Sequence, residues 1–353
     1  MRNRHFPALL VLLVVVAVAL SGCGTQGEGK TAEEIAGAGA TFPYPLYSRM
    51  FHLYDQKTGI HVNYQGIGSG GGIRALTDKT VDFGASDAFL TEDELVAMGA
   101  PVLHIPTCVG AVVLSYNLNG KPALLMDETT VAGIFLGTIT RWNDPALVAL
   151  NPDITLPDLA ITVIHRSDGS GTTSIFTSYL SAVSTAWKTK VGAGKSVSWP
   201  VGLGGKGNDG VAGMISQTKG SIGYIELVYA TENDMPVTML KNAAGSFITP
   251  NLASSAAAAN IELPDDLRVL LIDMPAAGAY PISAFTWILV YREQHYDART
   301  LAQAQALRDL LVWMMGEGQS VNEGLTYARL PAAAVAKAMK LIGSMTYDGA
   351  PIP

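Results

Sequence analysis

The hydrophobic pattern along the chain switches repeatedly between two periods. Short runs of β-branched and apolar residues, such as 161–164 and 103–116, are typical of buried strands. Between such runs, apolar residues recur every three or four positions, as in 46–54 and 173–187, which indicates amphipathic helices. This alternation predicts an α/β fold in which mixed sheets are flanked by helices.

One turn between a predicted strand and a predicted helix carries the densest polar chemistry. Residues 165–172 read His-Arg-Ser-Asp-Gly-Ser-Gly-Thr. Gly169 and Gly171 allow the backbone to approach a ligand closely. Ser170 and Thr172 add hydroxyl donors. Because the following helix points its unpaired N–H groups and positive dipole end toward this turn, the segment is suited to bind an anion.

Two charged side chains in the same turn fit this chemistry. Arg166 offers a planar guanidinium that matches an oxyanion, and the carboxylate of Asp168 can hold that guanidinium in place. Two other interpretations stay open at this point. Ser170 and Thr172 can simply cap the helix. A serine nucleophile on a hydrolase elbow, by contrast, needs the spacing Gly-x-Ser-x-Gly, which residues 168–172 do not have.

Three further turns place polar groups at the ends of predicted strands. Thr41 follows a Gly/Ala-rich entry, Ser69 lies in the glycine-rich turn 66–72, and Asp87 follows the strand-like stretch 80–86. Taken alone, Thr41 could be a helix cap and Asp87 a solvated loop residue. In α/β sheets, however, ligands bind beyond the carboxyl ends of the strands. We therefore expect all these turns to meet at one cleft.

The glycine-rich turns also resemble a dinucleotide site. Gly66, Gly68 and Gly71 satisfy the pattern Gly-x-Gly-x-x-Gly, and a second match begins at Gly202. A lone match is weak evidence, and the first has no acidic residue convincingly placed on a following strand. An anion-facing turn explains these glycines equally well. The sequence therefore predicts neither a cofactor nor, from the spacing of its histidines and carboxylates, a metal.

Length and charge limit the number of domains and the classes of ligand. The 353 residues are enough for two domains that each bury a core. The formal net charge is −7, and loss of Arg2 and Arg4 with a leader would make the chain more acidic still. An acidic protein is a poor candidate for binding nucleic acid or anionic lipid. An anionic ligand must therefore be held by local donors rather than by a basic field.

The first residues have the features of a secretory signal. Two arginines precede an apolar run over 6–20, and small residues follow it. The run is too short to be a secure membrane-spanning helix. We expect residues 1–22 to direct export and then to be removed.

A cysteine directly follows this leader. Leu20-Ser21-Gly22-Cys23 resembles the bacterial lipobox, which predicts lipidation of Cys23 and a flexible tether over 23–30. Ordinary signal cleavage beside an incidental cysteine is the alternative. Cys108, the one other cysteine, then has no disulfide partner and is expected to be a small buried hydrophobe.

Five motifs together resemble one protein family. Residues 37–43 (GAGATFP), 64–69 (YQGIGS), 81–87 (VDFGASD), 166–172 (RSDGSGT) and 202–210 (GLGGKGNDG) closely resemble the substrate-binding subunit of the bacterial phosphate-specific ABC transporter. The resemblance runs in order from about residue 35 to the C-terminus. It implies a two-lobed periplasmic-binding-protein fold of type II, with the ligand cleft between the lobes.

This resemblance also implies a division of the chain and a set of ligand contacts. One lobe would comprise 31–115 plus 282–353, and the other 116–281. Asp168 would orient the arginine of the site. The phosphate contacts carried over from the family are Thr41, Phe42, Ser69, Asp87, Arg166, Ser170, Gly171 and Thr172.

The side chain of Asp87 gives this set its selectivity. Most of the other groups donate hydrogen bonds, whereas an ionised carboxylate only accepts them. Near neutral pH phosphate still carries a proton and sulfate carries none, so the carboxylate should admit phosphate and arsenate and reject sulfate. Sites built around such a hydrogen bond reject the analogue that lacks it by about 10⁴- to 10⁵-fold.

These observations predict an exported, lipid-anchored protein that binds inorganic phosphate without catalysis. It would deliver the ion to transmembrane permease subunits powered by a cytoplasmic ATPase. A binding protein for another tetrahedral oxyanion is the first alternative. A secreted phosphatase or hydrolase that uses Ser170 is the second, but no histidine has a sequence context that marks it as the required base.

Overall fold

The computed structural model describes residues 34–353, in which strands and helices alternate as the sequence predicts. The strands are β1 (Glu34–Gly39), β2 (His61–Gly66), β3 (Phe83–Ser86), β4 (Val102–Tyr116), β5 (Leu125–Met126), β6 (Thr162–Arg166), β7 (Leu203–Gly205), β8 (Ser221–Glu226), β9 (Met239–Lys241), β10 (Phe247–Ile248), β11 (Leu271–Ile272), β12 (Ile282–Tyr291), β13 (Thr346–Tyr347) and β14 (Ala350–Pro351). The predicted leader, Cys23 and the whole of the tether over 23–30 lie outside the described residues.

Helices connect and cover these strands. They are α1 (Tyr44–Thr58), α2 (Ser69–Thr77), α3 (Glu92–Met98), α4 (Glu128–Leu136), α5 (Pro145–Leu150), α6 (Gly171–Val183), α7 (Thr185–Lys190), α8 (Gly207–Gln217), α9 (Leu227–Glu232), α10 (Leu252–Ala258), α11 (Leu301–Met315) and α12 (Ala332–Ile342). Two short 3₁₀ turns, Glu317–Val321 and Glu323–Leu325, follow α11. Among the described residues, no helix combines the length and the apolar character that crossing a membrane requires.

The principal sheet is mixed. Its main path runs in the order β2-β1-β3-β12-β4-β8-β6-β7, with β11 paired to β12 at the side. The strands β1, β2 and β3 form a first parallel triple, and β6, β7 and β8 form a second. The pairings of β12 with β3 and β4, and of β4 with β8, are all antiparallel. The two triples therefore run in opposite directions.

The register shows where the two triples end. Trp287 of β12 pairs with Ser86, the last residue of β3, and with Pro106 of β4. Val112 of β4 pairs with Glu226, the last residue of β8. The carboxyl ends of the triples therefore face each other across the middle of β4. Loops that follow these strands are brought together from both sides.

Two predicted helices begin or end differently from expectation. The helix expected over 173–187 breaks at Ser184, whose side chain accepts a hydrogen bond from the N–H of Trp187 and so starts α7. The sequence also predicts a helix over 211–218 that Asn208 or Asp209 in the glycine-rich loop would cap, but this helix begins at Gly207. Its N-cap is Lys206, which makes no capping hydrogen bond, so the prediction of the cap was wrong.

The sequence also predicts a strand over 268–273, which the structure reduces to β11, paired with β12. The long strand predicted over 103–116 is confirmed as β4, and almost every residue of it is buried. Cys108 lies within β4 and is fully buried, as expected of a small hydrophobe. Burial of so long a strand explains why its sequence is mainly apolar and does not alternate.

The predicted lobe boundaries coincide with the ends of two strands. Residue 115 lies next to the end of β4, and residue 282 begins β12. The described residues, 34–353, belong to one unit through which the sheet continues unbroken. The division into two lobes therefore stays a prediction.

Candidate functional site

The first parallel triple delivers three of the predicted site segments. Thr41 and Phe42 follow the end of β1, Ser69 opens α2 after β2, and Asp87 follows β3 directly. These four residues are all at least 94% buried. The carboxyl ends of adjacent parallel strands lie at one edge of a sheet, which is why segments distant in sequence meet here.

The second triple delivers the remaining segments from the opposite side. Arg166 is the last residue of β6, and Ser170 is the N-cap of α6. Gly171 and Thr172 form the first turn of that helix. N–H groups in the first turn of a helix have no intrahelical partner, so this end of α6 presents donors and a positive dipole.

Arg166 and Asp168 form a two-point ion pair at the centre of the site. The guanidinium donates through Nε to Oδ1 at 2.8 Å and through Nη2 to Oδ2 at 2.6 Å. The N–H of Gly207 also donates to Oδ1, at 3.1 Å. Burial favours a raised pKa for Asp168, but these hydrogen bonds and the charge of Arg166 outweigh it and lower the pKa. The pair fixes the guanidinium, as the spacing of Arg166 and Asp168 in the motif predicts.

Ser69 connects the two triples. Its Oγ accepts a hydrogen bond from the N–H of Asp87 at 3.3 Å and another from the N–H of Gly171 at 3.0 Å. A hydroxyl has two lone pairs and one proton, so the hydroxyl proton of Ser69 is left to donate. Close by, the N–H of Gly70 donates to the carbonyl of Gly169 at 2.8 Å, which brings the two glycine-rich turns into direct contact.

Asp87 is the buried acceptor of the site. Its carboxylate is 1% exposed, and Oδ1 accepts a hydrogen bond from the hydroxyl of Thr286 at 2.6 Å. Burial raises the pKa of Asp87 to about 7, although the Thr286 hydrogen bond and the charge of Arg166 act in the opposite direction. The other oxygen, Oδ2, faces Gly171: a β-carbon on that glycine would lie only 2.6 Å from it.

Thr41 is held by groups from both sides. Asn208 donates to its Oγ1 through the backbone N–H at 3.1 Å and through Nδ2 at 2.9 Å. The hydroxyl of Tyr229 donates to the carbonyl of Thr41 at 2.5 Å, and that of Tyr327 to the carbonyl of Phe42 at 2.6 Å. Because both carbonyls accept these hydrogen bonds, the backbone conformation at Thr41 and Phe42 is fixed.

Ser170 is placed as a helix cap. Its Oγ accepts a hydrogen bond from the N–H of Thr173 at 3.0 Å. The ring of His165 stacks on Trp199 with centroids 4.7 Å apart, and its Nδ1 contacts the carbonyl of Arg166 at 3.0 Å. Because the nearest histidine in sequence is engaged elsewhere, the arrangement does not support a nucleophilic serine.

The charged side chains of the site supply no net positive charge. Arg166 is offset by Asp168, and Asp87 contributes a second carboxyl group. The attraction for an anion must therefore come from hydroxyl groups, backbone N–H groups and the α6 dipole, as the acidic composition suggests. Many donors around a single acceptor suit a small tetrahedral oxyanion that carries a proton of its own.

In the structure, all of the predicted site residues lie in one hydrogen-bonded cluster or directly beside it. Sequence reasoning missed three residues that support them: Asn208, Thr286 and Tyr224, whose hydroxyl accepts from the N–H of Arg166 at 3.1 Å. Asn208 stood in a recognised motif, where it was interpreted as a helix cap. Thr286 and Tyr224 lie inside apolar strands, where no local pattern distinguishes them.

Comparisons with known proteins show which family this chain resembles. A family model described as a PBP superfamily domain matches residues 24–317. The phosphate-binding protein PstS of Xylella fastidiosa strain Temecula1 is 42% identical over 351 residues, which cover 93% of this chain and 95% of the relative. The protein of the same name from Haemophilus influenzae is 44% identical over 309 residues, which cover 86% and 91%.

Solved structures share the fold. A high-affinity periplasmic phosphate-binding protein (PfluDING) bound with phosphate superposes with a TM-score of 0.70 at 22% identity, covering 91% of this chain and 99% of that one. A phosphate-binding protein from Stenotrophomonas maltophilia gives a TM-score of 0.65 at 18% identity, covering 88% and 94%. The predicted periplasmic-binding-protein fold is thereby confirmed.

Proposed function

The chain belongs to the PstS family of phosphate-binding proteins within the periplasmic-binding-protein superfamily, and from this membership we propose that its buried cluster binds inorganic phosphate for import. It is a transport binding protein of an ABC importer, not an enzyme. One observation carries the assignment of the site. Segments from both parallel triples meet at Ser69, whose Oγ accepts from the N–H groups of Asp87 and Gly171, and this supports a site for a small oxyanion between them.

The proposed contacts are those carried over from the family, and the geometry supports them. The guanidinium of Arg166 supplies the positive charge, and Asp168 keeps it oriented. Hydroxyl and backbone donors surround the other oxygens, and Asp87 accepts the proton that phosphate retains. The residues proposed to contact phosphate are Thr41, Phe42, Ser69, Asp87, Arg166, Ser170, Gly171 and Thr172.

Asp87 is proposed to exclude sulfate. At a pH where its carboxyl is ionised, Asp87 accepts a hydrogen bond from protonated phosphate but faces a sulfate oxygen with like charge. Arsenate, which is protonated as phosphate is, should bind. The same reasoning sets aside the alternative of a binding protein for an unprotonated oxyanion.

Binding is proposed to close two lobes, 31–115 plus 282–353 and 116–281, around the ion. Several contacts that join these segments support this view. The Ser69 Oγ accepts from the Gly171 N–H, and Lys195 pairs with Glu94 at 2.8 Å. A ligand that touches both lobes favours the closed state by its differential affinity for that state.

Export and anchoring are proposed from the first residues. The leader over 1–22 would direct export, and lipidation of Cys23 would hold the protein at the outer side of the cell membrane, with 23–30 as its tether. There it would meet transmembrane permease subunits coupled to a cytoplasmic ATPase. Mass spectrometry of membrane-extracted protein tests the anchor: a mature terminus at Cys23 without acyl chains would contradict it.

Competition binding tests the proposed ligand. Protein freed of co-purified anions is incubated with radiolabelled phosphate, and unlabelled arsenate or sulfate is added in large excess. We expect arsenate to displace the label and sulfate to leave it bound. Displacement by sulfate at concentrations like those of phosphate would show a general oxyanion site instead.

A further inference from the structure

Asn208 occupies a central position between the two sides of the site. It is the second residue of α8 and is fully buried. Its Oδ1 accepts a hydrogen bond from the N–H of Glu226 at 3.0 Å. Because an N–H group requires an acceptor, this contact determines the orientation of the side-chain amide. Its Nδ2 then donates to Oγ1 of Thr41 at 2.9 Å and to Oγ1 of Thr172 at 3.2 Å.

These contacts determine what the two threonine hydroxyls can do. A hydroxyl oxygen has two lone pairs and a single proton. On Thr41, both lone pairs accept from Asn208, one from its backbone N–H and one from Nδ2. On Thr172, one accepts from Asn208 and the other from Nη1 of Arg166. Neither hydroxyl has acceptor capacity left, so each must donate its proton elsewhere. Before a ligand binds, the Thr172 hydroxyl has the Asp87 carboxyl within hydrogen-bonding reach.

We propose that Asn208 is a positioning residue that sets the hydroxyls of Thr41 and Thr172 as donors toward the bound anion. The inference rests on the proposed phosphate-binding function and adds to it a residue outside the eight proposed contacts. Asn208 joins a residue of the first triple to one of the second, so it organises donors on both sides of the ligand at once. An amide suits this role because its NH₂ group offers two protons in fixed directions.

Replacement by aspartate reverses the polarity of this arrangement. A carboxylate at position 208 can still accept from the N–H of Glu226, but it has no proton for the threonines. It instead accepts from Thr41 and Thr172, which draws their protons away from the ligand. A role limited to packing makes the opposite prediction, because aspartate keeps the shape of asparagine and alanine leaves a cavity.

The order of affinities therefore distinguishes the two roles. We expect phosphate binding, measured by calorimetry on the full-length gene product freed of anions, to weaken about tenfold in Asn208→Ala and at least about 100-fold in Asn208→Asp. An Asn208→Asp variant that binds more tightly than Asn208→Ala would overturn the proposal. Wild-type protein that binds no phosphate would instead overturn the proposed function itself.

Asn117 provides a matched control. Its Nδ2 donates to the carbonyls of Ile215 and Ser216 at the other end of α8, at 3.0 and 2.8 Å. Asn117→Ala and Asn117→Asp therefore disturb the same helix without reaching the site. We expect phosphate affinity within about twofold of wild type in both variants. An equal loss of affinity at positions 117 and 208 would show that only the stability of α8 matters, and would overturn the proposal.

A double-mutant cycle separates the hydroxyl effect from simple charge repulsion. Thr41→Val removes one of the two hydroxyls while it keeps the shape of the side chain. If Asn208 acts through that hydroxyl, Asn208→Asp costs about tenfold less affinity in the Thr41→Val background than in wild type. An equal cost in both backgrounds would mean that the new charge acts directly and would overturn the proposal. If the Asn208→Asp variant does not fold, the cycle is measured with Asn208→Ala. An equal loss of affinity from Asn208→Ala in the wild-type and Thr41→Val backgrounds would then overturn the proposal.

Discussion

The hydroxyl of Thr286 donates a 2.6 Å hydrogen bond to Oδ1 of Asp87, from a strand 199 residues further along the chain. This contact occupies one carboxylate oxygen and leaves Oδ2 turned toward the N-terminus of α6. It also opposes the rise in pKa that burial imposes on Asp87. Thr286 therefore helps to keep the acceptor of the site ionised near neutral pH.

Removal of this hydroxyl should shift the pH range in which sulfate is excluded. A protonated Asp87 can donate to sulfate, so sulfate binding should appear in wild type as the pH falls below about 7. In Thr286→Val the pKa of Asp87 rises further, and the midpoint of sulfate binding should move to higher pH. Thr286→Ser keeps the hydroxyl and should retain the wild-type midpoint. Identical sulfate profiles in wild type and Thr286→Val would contradict this role.

The ligand-free protein should lose stability as the pH rises through the same range. The Asp87 carboxyl keeps its proton up to about pH 7 when folded, against 3.8 as its ordinary value. The folded state therefore binds more protons between these values, and the free energy of unfolding falls as pH increases. Relative to wild type, Asp87→Asn should gain on the order of 3 kcal/mol between pH 5 and pH 8. Urea unfolding without phosphate measures this difference, and a constant difference would refute the buried, raised pKa.

A methyl group at position 171 should block the site. A β-carbon there would lie 2.5 Å from Oγ of Ser69 and 2.6 Å from Oδ2 of Asp87, closer than real contacts allow. We expect Gly171→Ala to weaken phosphate binding by about 100-fold or more, since two charge-assisted contacts are disturbed. Gly213→Ala is the control, because a β-carbon at that position meets no atom within 4 Å. Calorimetry that finds both variants equally competent would show that Gly171 does not approach the ligand.

The ion pair between Lys195 and Glu94 should contribute to closure. Its side chains are only 16% and 25% exposed, and the carbonyl of Lys195 accepts from the N–H of Ser170 at 2.8 Å. Glutamine is accepted at the capping-box position that Glu94 fills, so Glu94→Gln removes the charge while it preserves α3. We expect phosphate affinity to fall about two- to tenfold.

The control for this ion pair lies within one predicted lobe. Lys121 pairs with Asp234, and both side chains are more than half exposed. Asp234→Asn should leave phosphate affinity unchanged, because breaking that pair does not alter any contact between the predicted lobes. If Asp234→Asn weakened binding as much as Glu94→Gln, the effect of Glu94 would reflect general charge rather than closure.

Local sequence patterns identified the parts of the site that belong to turns. Glycines and hydroxyl residues at strand ends have a distinctive spacing, so the turns that hold Ser69 and Arg166 were expected to bind an anion, whereas the role of Asp87 came from the family resemblance. The strand-helix alternation likewise predicted the α/β architecture. These features depend on residues close in sequence, which is why a single sequence reveals them.

The supporting residues depend on topology and were not accessible in this way. Thr286 reaches Asp87 only because β12 pairs with β3, and Tyr224 reaches Arg166 only because β8 lies beside β6. In the sequence, Thr286 and Tyr224 are residues with a hydroxyl group inside otherwise largely apolar strands. Asn208 was misinterpreted because an asparagine near a helix start is ordinarily a cap. Its true partners lie 167 and 36 residues away.

Calorimetric titration of wild type and Asp87→Asn with phosphate and then sulfate, at pH 8, tests the central claim most directly. At this pH the carboxyl of Asp87 is mostly ionised. We expect wild type to bind phosphate and give no heat with sulfate, and Asp87→Asn to bind both anions. Sulfate binding by wild type as tight as that of phosphate, or full discrimination retained by Asp87→Asn, would contradict the role of Asp87 as the selective acceptor.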